Sequence, residues 1–454
     1  MQPLALAVVG HTNTGKTSLL RTLLRDVAFG EVKNQASTTR HVERAAIRDQ
    51  DQVLLWLYDT PGLEDAGAVL DWLDAQTSSR QDGIERIQAF LRSAEAEQAL
   101  SQEAKVLRQL LSSDVALYVI DAREPVLGRY KDELQVLSLC AKPIMAVFNF
   151  AANQAAAVSE WREMLARRGL HVSVCFDSVA FDFDSELLLW RDLSTLVTHQ
   201  QVLEQLIDAR QDDWHVLYEQ ALQLVAHFLL DIAAYQRVIH VDDDPVPVLA
   251  SMQEQVRQLE RQLQEDLLNL YRFYDNQVQP VRLDIPYYQQ DPFDPELLKA
   301  YGLRTTSGAA AGAAVGLGID AMALGTTLGL GTALGAALGG VGPNARSIRD
   351  KLTGQQRLLL NPETLTLLAA RSMALLQHLR QRGHASQSNI EVSAAQLPWN
   401  VEQLPSSLKK ARGRVDWSAL NTQQPNQSRL LREDQVPYLV GALRQDAGLP
   451  TELP

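Results

Sequence analysis

Cysteine is nearly absent: 454 residues contain only Cys140 and Cys175. Two thiols build neither a disulfide framework nor a four-cysteine zinc site, so a reducing cytoplasm is the expected location. Excess positive charge is also lacking. Lys and Arg number 42 against 55 Asp and Glu, a formal net charge of −13, which argues against a generally basic nucleic-acid-binding surface. The one basic cluster, Lys409, Lys410, Arg412 and Arg414, reads as solvated tail, with an anionic lipid or RNA contact as the alternative. No His–Cys or Glu–His spacing suggests a metal held by the protein alone. Met1 to Val9 has no basic flank of the secretory kind and runs straight into a glycine-bearing loop. What remains is ordinary globular composition, 46% hydrophobic and 21% charged. At roughly 100–200 residues per domain, that length implies several domains.

Short apolar runs stand at Leu4–Val9, Val53–Tyr58, Val115–Ile120, Ile144–Phe148 and Val172–Cys175. Helix-spaced stretches alternate with them, which predicts an α/β domain with a parallel sheet over residues 1–185. Between Gly62 and Asp114 an inserted or elongated helix is expected. Strand signals fade after Ser185, so a mostly α-helical C-terminal region should follow. Residues 186–305 are read as helical, with Met252, Val256, Leu259 and Leu263 forming a seam at coiled-coil spacing. Residues 306–345 form a Gly/Ala-rich segment, 346–390 resume a helical pattern, and 391–454 read as a loosely packed tail.

Gly10-His11-Thr12-Asn13-Thr14-Gly15-Lys16-Thr17 satisfies the P-loop pattern between a strand and a helix. Such a loop cradles phosphates with backbone N–H groups at a helix N-terminus. Gly10, Asn13, Thr14, Gly15, Lys16, Thr17 and Ser18 are therefore the candidate nucleotide-binding residues. Lys16 should reach the β- and γ-phosphates and the Thr17 hydroxyl should bind Mg²⁺. Asp59-Thr60-Pro61-Gly62 ends the second apolar run. Its carboxylate is placed to meet the Mg²⁺, and the Gly62 N–H to sense a γ-phosphate. Between the two motifs, Ala36-Ser37-Thr38-Thr39-Arg40 is placed as a first switch, with Thr39, in preference to Thr38, completing the metal shell. Lys16, Thr39 and Gly62 are the candidates for catalysis. His11 occupies a variable loop position and is expected to face solvent; Trp56 is expected to pack.

The P-loop with Asn13, the Thr38-Thr39-Arg40 triplet, Asp59-Thr60-Pro61-Gly62 and Asp121-Ala122-Arg123-Glu124-Pro125 together resemble the Era-like (TrmE–Era–EngA type) GTPases over roughly residues 1–180. The whole chain resembles a bacterial family joining such a domain to a C-terminal domain of unknown function. The resemblance implies GTP or GDP with Mg²⁺ as ligands. Leu63 follows the Asp-x-x-Gly motif where other GTPases carry glutamine, which implies slow hydrolysis aided by a protein partner, a homodimer or a monovalent cation. Asn13 matches the asparagine that contacts K⁺ in several relatives. The base-reading Asn-Lys-x-Asp is here Asn149-Phe150-Ala151-Ala152. Asn149 keeps its place, but the carboxylate that reads guanine is missing. Selection of GTP over ATP thus stays open, with Asp177-Ser178 as a partial substitute.

In 307–342 glycines recur four apart, a spacing that permits close helix approach. Ala321–Gly342 is uncharged and long enough to cross a bilayer. A membrane-associated helical hairpin bent at Asp320 is one expectation, which would place the chain at the inner membrane; a soluble hairpin or linker is the other. The leading function is a slow GTPase switch coupled to that helical region. The alternatives are an RNA-modification or ribosome-associated GTPase, and a P-loop nucleotide-binding protein with relaxed base choice or vestigial hydrolysis.

Overall fold

The computed structural model describes residues 2–26, 29, 42–151, 154–178, 182–240, 242–271, 290–301, 319–323, 355–380, 397–421 and 426–445. Thr38, Thr39, Arg40 and Ala152 lie outside the described residues, as does most of 307–342. The chain divides into two units, the first made mainly of Met1–Val216 and the second starting at Leu217.

The first unit carries β1 (Leu4–Val9), β2 (Glu43–Asp49), β3 (Gln52–Asp59), β4 (Val115–Asp121), β5 (Ile144–Asn149) and β6 (Ser173–Cys175). They form one sheet in the order β2-β3-β1-β4-β5-β6. Only the β2–β3 pair is antiparallel. Every residue of β4 and β5 is buried, as uninterrupted apolar runs require when helices cover both sheet faces. The sequence reading missed β2, because Glu43-Arg44-Ala45-Ala46-Ile47-Arg48-Asp49 is an edge strand that buries Ile47 alone. The helices are α1 (Lys16–Leu24), α2 (Ala66–Gln76), α3 (Gly83–Leu91), α4 (Ser101–Ser112), α5 (Gly128–Ser138), α6 (Ala155–Ala166) and α7 (Phe183–Ser194). In place of one elongated helix after Gly62 there are three. The carboxylates of Asp65 and Asp82 start α2 and α3 by accepting from the N–H groups of Ala68 and Ile84. Strand register sets Val8 beside Asp59 and Asp121 beside Asn149. The chemically interesting residues thereby end at one edge of the sheet, where open α/β folds build their sites.

The boundary between the units falls within α8 (Gln200–Ala234). By length and composition α8 could cross a membrane, yet 56% of its apolar window is buried inside the fold. The second unit also contains β7 (Gln236–His240), α9 (Pro245–Leu270), α10 (Pro295–Ala300), β8 (Ile319–Ala323), β9 (Gln355–Leu360) and α11 (Pro362–Arg380). The region is mostly helical, as expected, and among the described residues it also holds three strands, of which β7 falls within 186–305, read from the sequence as helical. They pair antiparallel in the order β7-β9-β8. Within the described part of 346–390, residues 355–360 are a strand and the helix starts at Pro362, where Asn361 caps α11 through the Thr364 N–H (2.8 Å). Asp320 lies in β8 opposite Leu359 rather than at a helical bend.

The seam of α9 also differs from expectation. Met252, Val256 and Leu263 are buried, but Glu260 takes the buried position between them and Leu259 does not. The Arg371 guanidinium on α11 donates to that carboxylate at 2.7 Å, so the 3.6-residue repeat continues through an ion pair. The described parts of the tail, 397–421 and 426–445, bury apolar side chains. In α12 (Ser406–Arg412) and α14 (Val436–Gln445), which flank α13 (Asn426–Glu433), Leu408, Ala411, Leu439 and Leu443 are buried. Two of its basic residues are engaged: Arg412 donates to the Leu360 carbonyl and Lys410 to Gln435.

Candidate functional site

Three residues of the loop between β1 and α1 adopt left-handed backbone: Gly10 (φ 140°), Asn13 (φ 65°) and Gly15 (φ 88°). These conformations let a short loop curl around an anion. Thr14 is buried and its hydroxyl donates to the His11 carbonyl at 3.0 Å, while Asn13 is exposed. Ser18 follows in the first turn of α1, its carbonyl accepting from the Thr22 hydroxyl. Lys16 is only 7% exposed, and its ammonium donates to the carbonyls of His11 (2.6 Å) and Gly10 (3.1 Å). Burial pulls it down to about 8, against the attraction of Asp59, Glu133 and Glu64. Gly62 lies directly against the loop. A methyl group there would stand 2.7 Å from the Thr12 nitrogen, so no larger residue fits.

Asp59 is 1% exposed at the end of β3. Its Oδ2 accepts from the Thr17 hydroxyl at 2.6 Å, and its Oδ1 is buried without a hydrogen-bond partner. Burial raises this carboxyl to about 6, although the Thr17 hydrogen bond and Lys16 both oppose the shift. A hydroxyl and a carboxylate with an unfilled buried oxygen are hard donors of the kind Mg²⁺ takes. The residues therefore fit the metal that the motif implies.

His11 does not face solvent. Its Nδ1 lies 2.9 Å from the Leu63 carbonyl and 2.7 Å from Oε1 of buried Glu133, whose Oε2 accepts from the Tyr118 hydroxyl at 2.8 Å. The loop is thus tied to the residue after the Asp-x-x-Gly motif and to α5. The sequence reading missed Glu133 and Tyr118, since nothing in their spacing announces a contact with a residue 122 positions away. Trp56 packs, with the Arg44 guanidinium 4.3 Å over its ring.

Asn149 is fully buried. Its Nδ2 donates to the Thr14 carbonyl at 3.0 Å, and its Oδ1 accepts from the N–H (3.0 Å) and hydroxyl (3.1 Å) of Ser178. Ser178 therefore serves the asparagine, and Asn149 fastens the end of β5 to the P-loop.

Residues 162–438 match the family described as a domain of unknown function, DUF3482. The chain belongs to that family. In this DUF3482 protein residues 5–150 also match the family described as a 50S ribosome-binding GTPase, a GTPase domain at the N-terminus that is similar in sequence to GTPase Era. GTPase Era of Campylobacter jejuni subsp. jejuni serotype O:23/36 (strain 81-176) is 30% identical over 78 residues, 17% of this chain and 26% of that protein. GTPase Era of Campylobacter jejuni subsp. doylei is 30% identical over 73 residues, 16% of this chain and 24% of its own. The match thus spans about a quarter of the length of these curated relatives. Among solved structures, Era in complex with MgGDPNP and nucleotides 1506–1542 of 16S ribosomal RNA is similar at 19% identity, covering 44% of this chain and 58% of that one, with a TM-score of 0.33. The G domain of the T. maritima FeoB iron transporter is similar at 18% identity, covering 41% and 96%, with a TM-score of 0.25.

Proposed function

We propose that this protein is a GTP-binding switch with slow intrinsic hydrolysis, its nucleotide state read out through the helical second unit. The observation that carries the reading is the convergence of Lys16, the Thr17–Asp59 pair and the Asn149–Thr14 clamp on one sheet edge. Lys16 faces carbonyl oxygens; a polyphosphate would supply the anionic partner that a buried ammonium lacks. Thr17 and Asp59 would hold Mg²⁺, with Thr39 as a further ligand in the triphosphate state, and the ion would neutralise developing phosphate charge when bound. Leu63 offers no side chain to orient water. Slow turnover follows, and Asn13 is the residue that a K⁺ ion would use.

The far end of α1 is tied to the part of α8 that belongs to the first unit. Arg210 of α8 donates to the Leu23 carbonyl at 2.7 Å and pairs with Glu186 of α7 at 3.2 Å, and Arg25 pairs with Asp213 at 2.8 Å. A shift of the P-loop helix would be felt by α8. Attachment to a membrane rests on the composition of 324–342 alone, since 319–323 form a strand; pelleting of the full chain with cell membranes tests it. An RNA or ribosome role is disfavoured by the net charge of −13.

Isothermal titration of the full chain with Mg²⁺ and GTP, GDP or ATP, followed by turnover in K⁺ and Na⁺ buffers, tests the proposal. Micromolar or tighter GTP and GDP binding with slow, K⁺-favoured turnover is expected. Absence of GTP and GDP binding overturns the switch; equal rates in the two salts remove the K⁺ role.

A further inference from the structure

Where the Era-like pattern has lysine, this chain has Phe150, one residue beyond β5 and beside the P-loop. The residue sits at φ 55°, a left-handed conformation that is strained for a bulky side chain and survives only where its surroundings impose it. Asn149 imposes it. The Phe150 N–H donates to the Asn149 Oδ1 at 3.1 Å, the same oxygen that accepts from Ser178, while the amide nitrogen holds Thr14. The ring consequently lies against the P-loop, its Cζ 3.2 Å from where a Gly15 side chain would begin.

One face of the ring is backed by a fixed cation. The Arg123 guanidinium stands 4.0 Å from the ring centroid. It is held flat by a two-pronged bond to Asp121, Nε to Oδ1 at 2.9 Å and Nη2 to Oδ2 at 2.7 Å. Asp121 is itself the last residue of β4, in register with Asn149. The ring is half-buried, so it is not a plug within the core. A strained backbone, an amide clamp and a buttressing ion pair thus fix an aromatic ring beside the phosphate-binding loop.

We infer that Phe150 is the stacking platform for the base of a purine nucleoside di- or triphosphate. The inference rests on the nucleotide-site reading above and deepens it. A π-face recognises any base, because each base has one of its own, whereas a carboxylate reads the hydrogen-bonding edge of guanine. Base choice in this protein is then set by stacking area, and guanine and adenine nucleotides are distinguished weakly.

The test compares GDP, ADP and base-free tripolyphosphate binding to the full chain with Mg²⁺, for wild type, Phe150→Ala and Phe150→Tyr. Phe150→Ala should weaken GDP and ADP alike, by about 5- to 100-fold. Tripolyphosphate should stay within about twofold, which also reports an intact P-loop, and Phe150→Tyr should restore nucleotide binding. GDP and ADP affinities unchanged in Phe150→Ala would overturn the platform while leaving the nucleotide site standing. A parallel loss of tripolyphosphate would overturn it too, by showing that Phe150 only props the loop. A wild-type preference for GDP over ADP of about 1,000-fold or more would reveal edge recognition instead. Failure of the wild type to bind any of the three would remove the nucleotide site and the platform together.

Discussion

The P-loop end of the first unit and the helix pair of the second handle buried charge in opposite ways. In the first, Lys16, Asp59 and Glu133 gather behind one edge of a sheet, and one carboxylate oxygen is left without a hydrogen-bond partner. In the second, Glu260 and Arg371 face each other across two helices at 2.7 Å, both almost fully buried. Burial shifts Lys16 and Asp59 toward their neutral forms, which marks charges waiting for a ligand. Glu260 is also raised by burial, but Arg371 answers it from within the fold. Unfilled partners are the sign of a binding site, and mutual satisfaction is the sign of architecture.

Removing one member of the internal pair gives the largest expected effect. Arg371→Ala strands a buried carboxylate and should cost about 3–5 kcal/mol of stability. Restoring charge balance with Arg371→Met and Glu260→Leu together should recover most of that loss, since an apolar pair of similar volume packs as well. Chemical denaturation measures both, and GDP affinity should stay within about twofold because every proposed contact lies in the other unit. A single variant as stable as wild type would show that the pair is solvated rather than structural.

Lys16→Ala should behave the other way. Loss of the ammonium that faces the phosphates should weaken GTP and GDP by more than about 100-fold, close to 3 kcal/mol. The nucleotide-free protein should keep its stability within about 1 kcal/mol, because the lost carbonyl hydrogen bonds are offset by relief of a buried charge. Titration and thermal melting of one preparation read both quantities. If nucleotide binding survives and stability collapses, Lys16 is a structural cation and the contrast between the units disappears.

This contrast also decides what the sequence could reveal. The P-loop, Asp59 and Asn149 were legible because each needs a fixed residue type at a fixed place along a strand-turn-helix. Glu260 was not: helical periodicity marks a buried position, but apolar bias assigned the seam to Leu259 one residue earlier. β2 escaped because an edge strand with one buried side chain has no apolar run, and β9 because its leucines merge into the pattern of α11. β8 lies inside a glycine-rich stretch whose small residues suit either close helices or a strand, and only its pairing with β9 settles the matter for 319–323. His11 looked incidental because its partner Glu133 is remote in sequence. Phe150 was visible as a departure from the family pattern, yet its role depends on Arg123 and Asp121 arriving from the neighbouring strand.

The smallest expected effect is a pH dependence that separates the empty site from the filled one. Asp59 titrates near 6 instead of its ordinary 3.8, so the folded state binds that proton more tightly than the unfolded state does. On its account, the nucleotide-free protein gains stability as pH falls from 6 toward 4, and loses it as pH rises through 6. Metal binding runs the opposite way, because Mg²⁺ needs the ionised carboxylate. Between pH 7 and pH 5 the ionised fraction drops about tenfold, and Mg²⁺ affinity in the presence of GDP should drop with it. The nucleotide's own phosphates also take up protons in this range, so the wild type is compared with Asp59→Asn, in which that background persists alone. The Mg²⁺-dependent rise in melting temperature should shrink below pH 6 in the wild type more steeply than in the variant. Identical pH profiles would show that Asp59 stays ionised throughout, and that its buried oxygen is compensated before any ligand arrives.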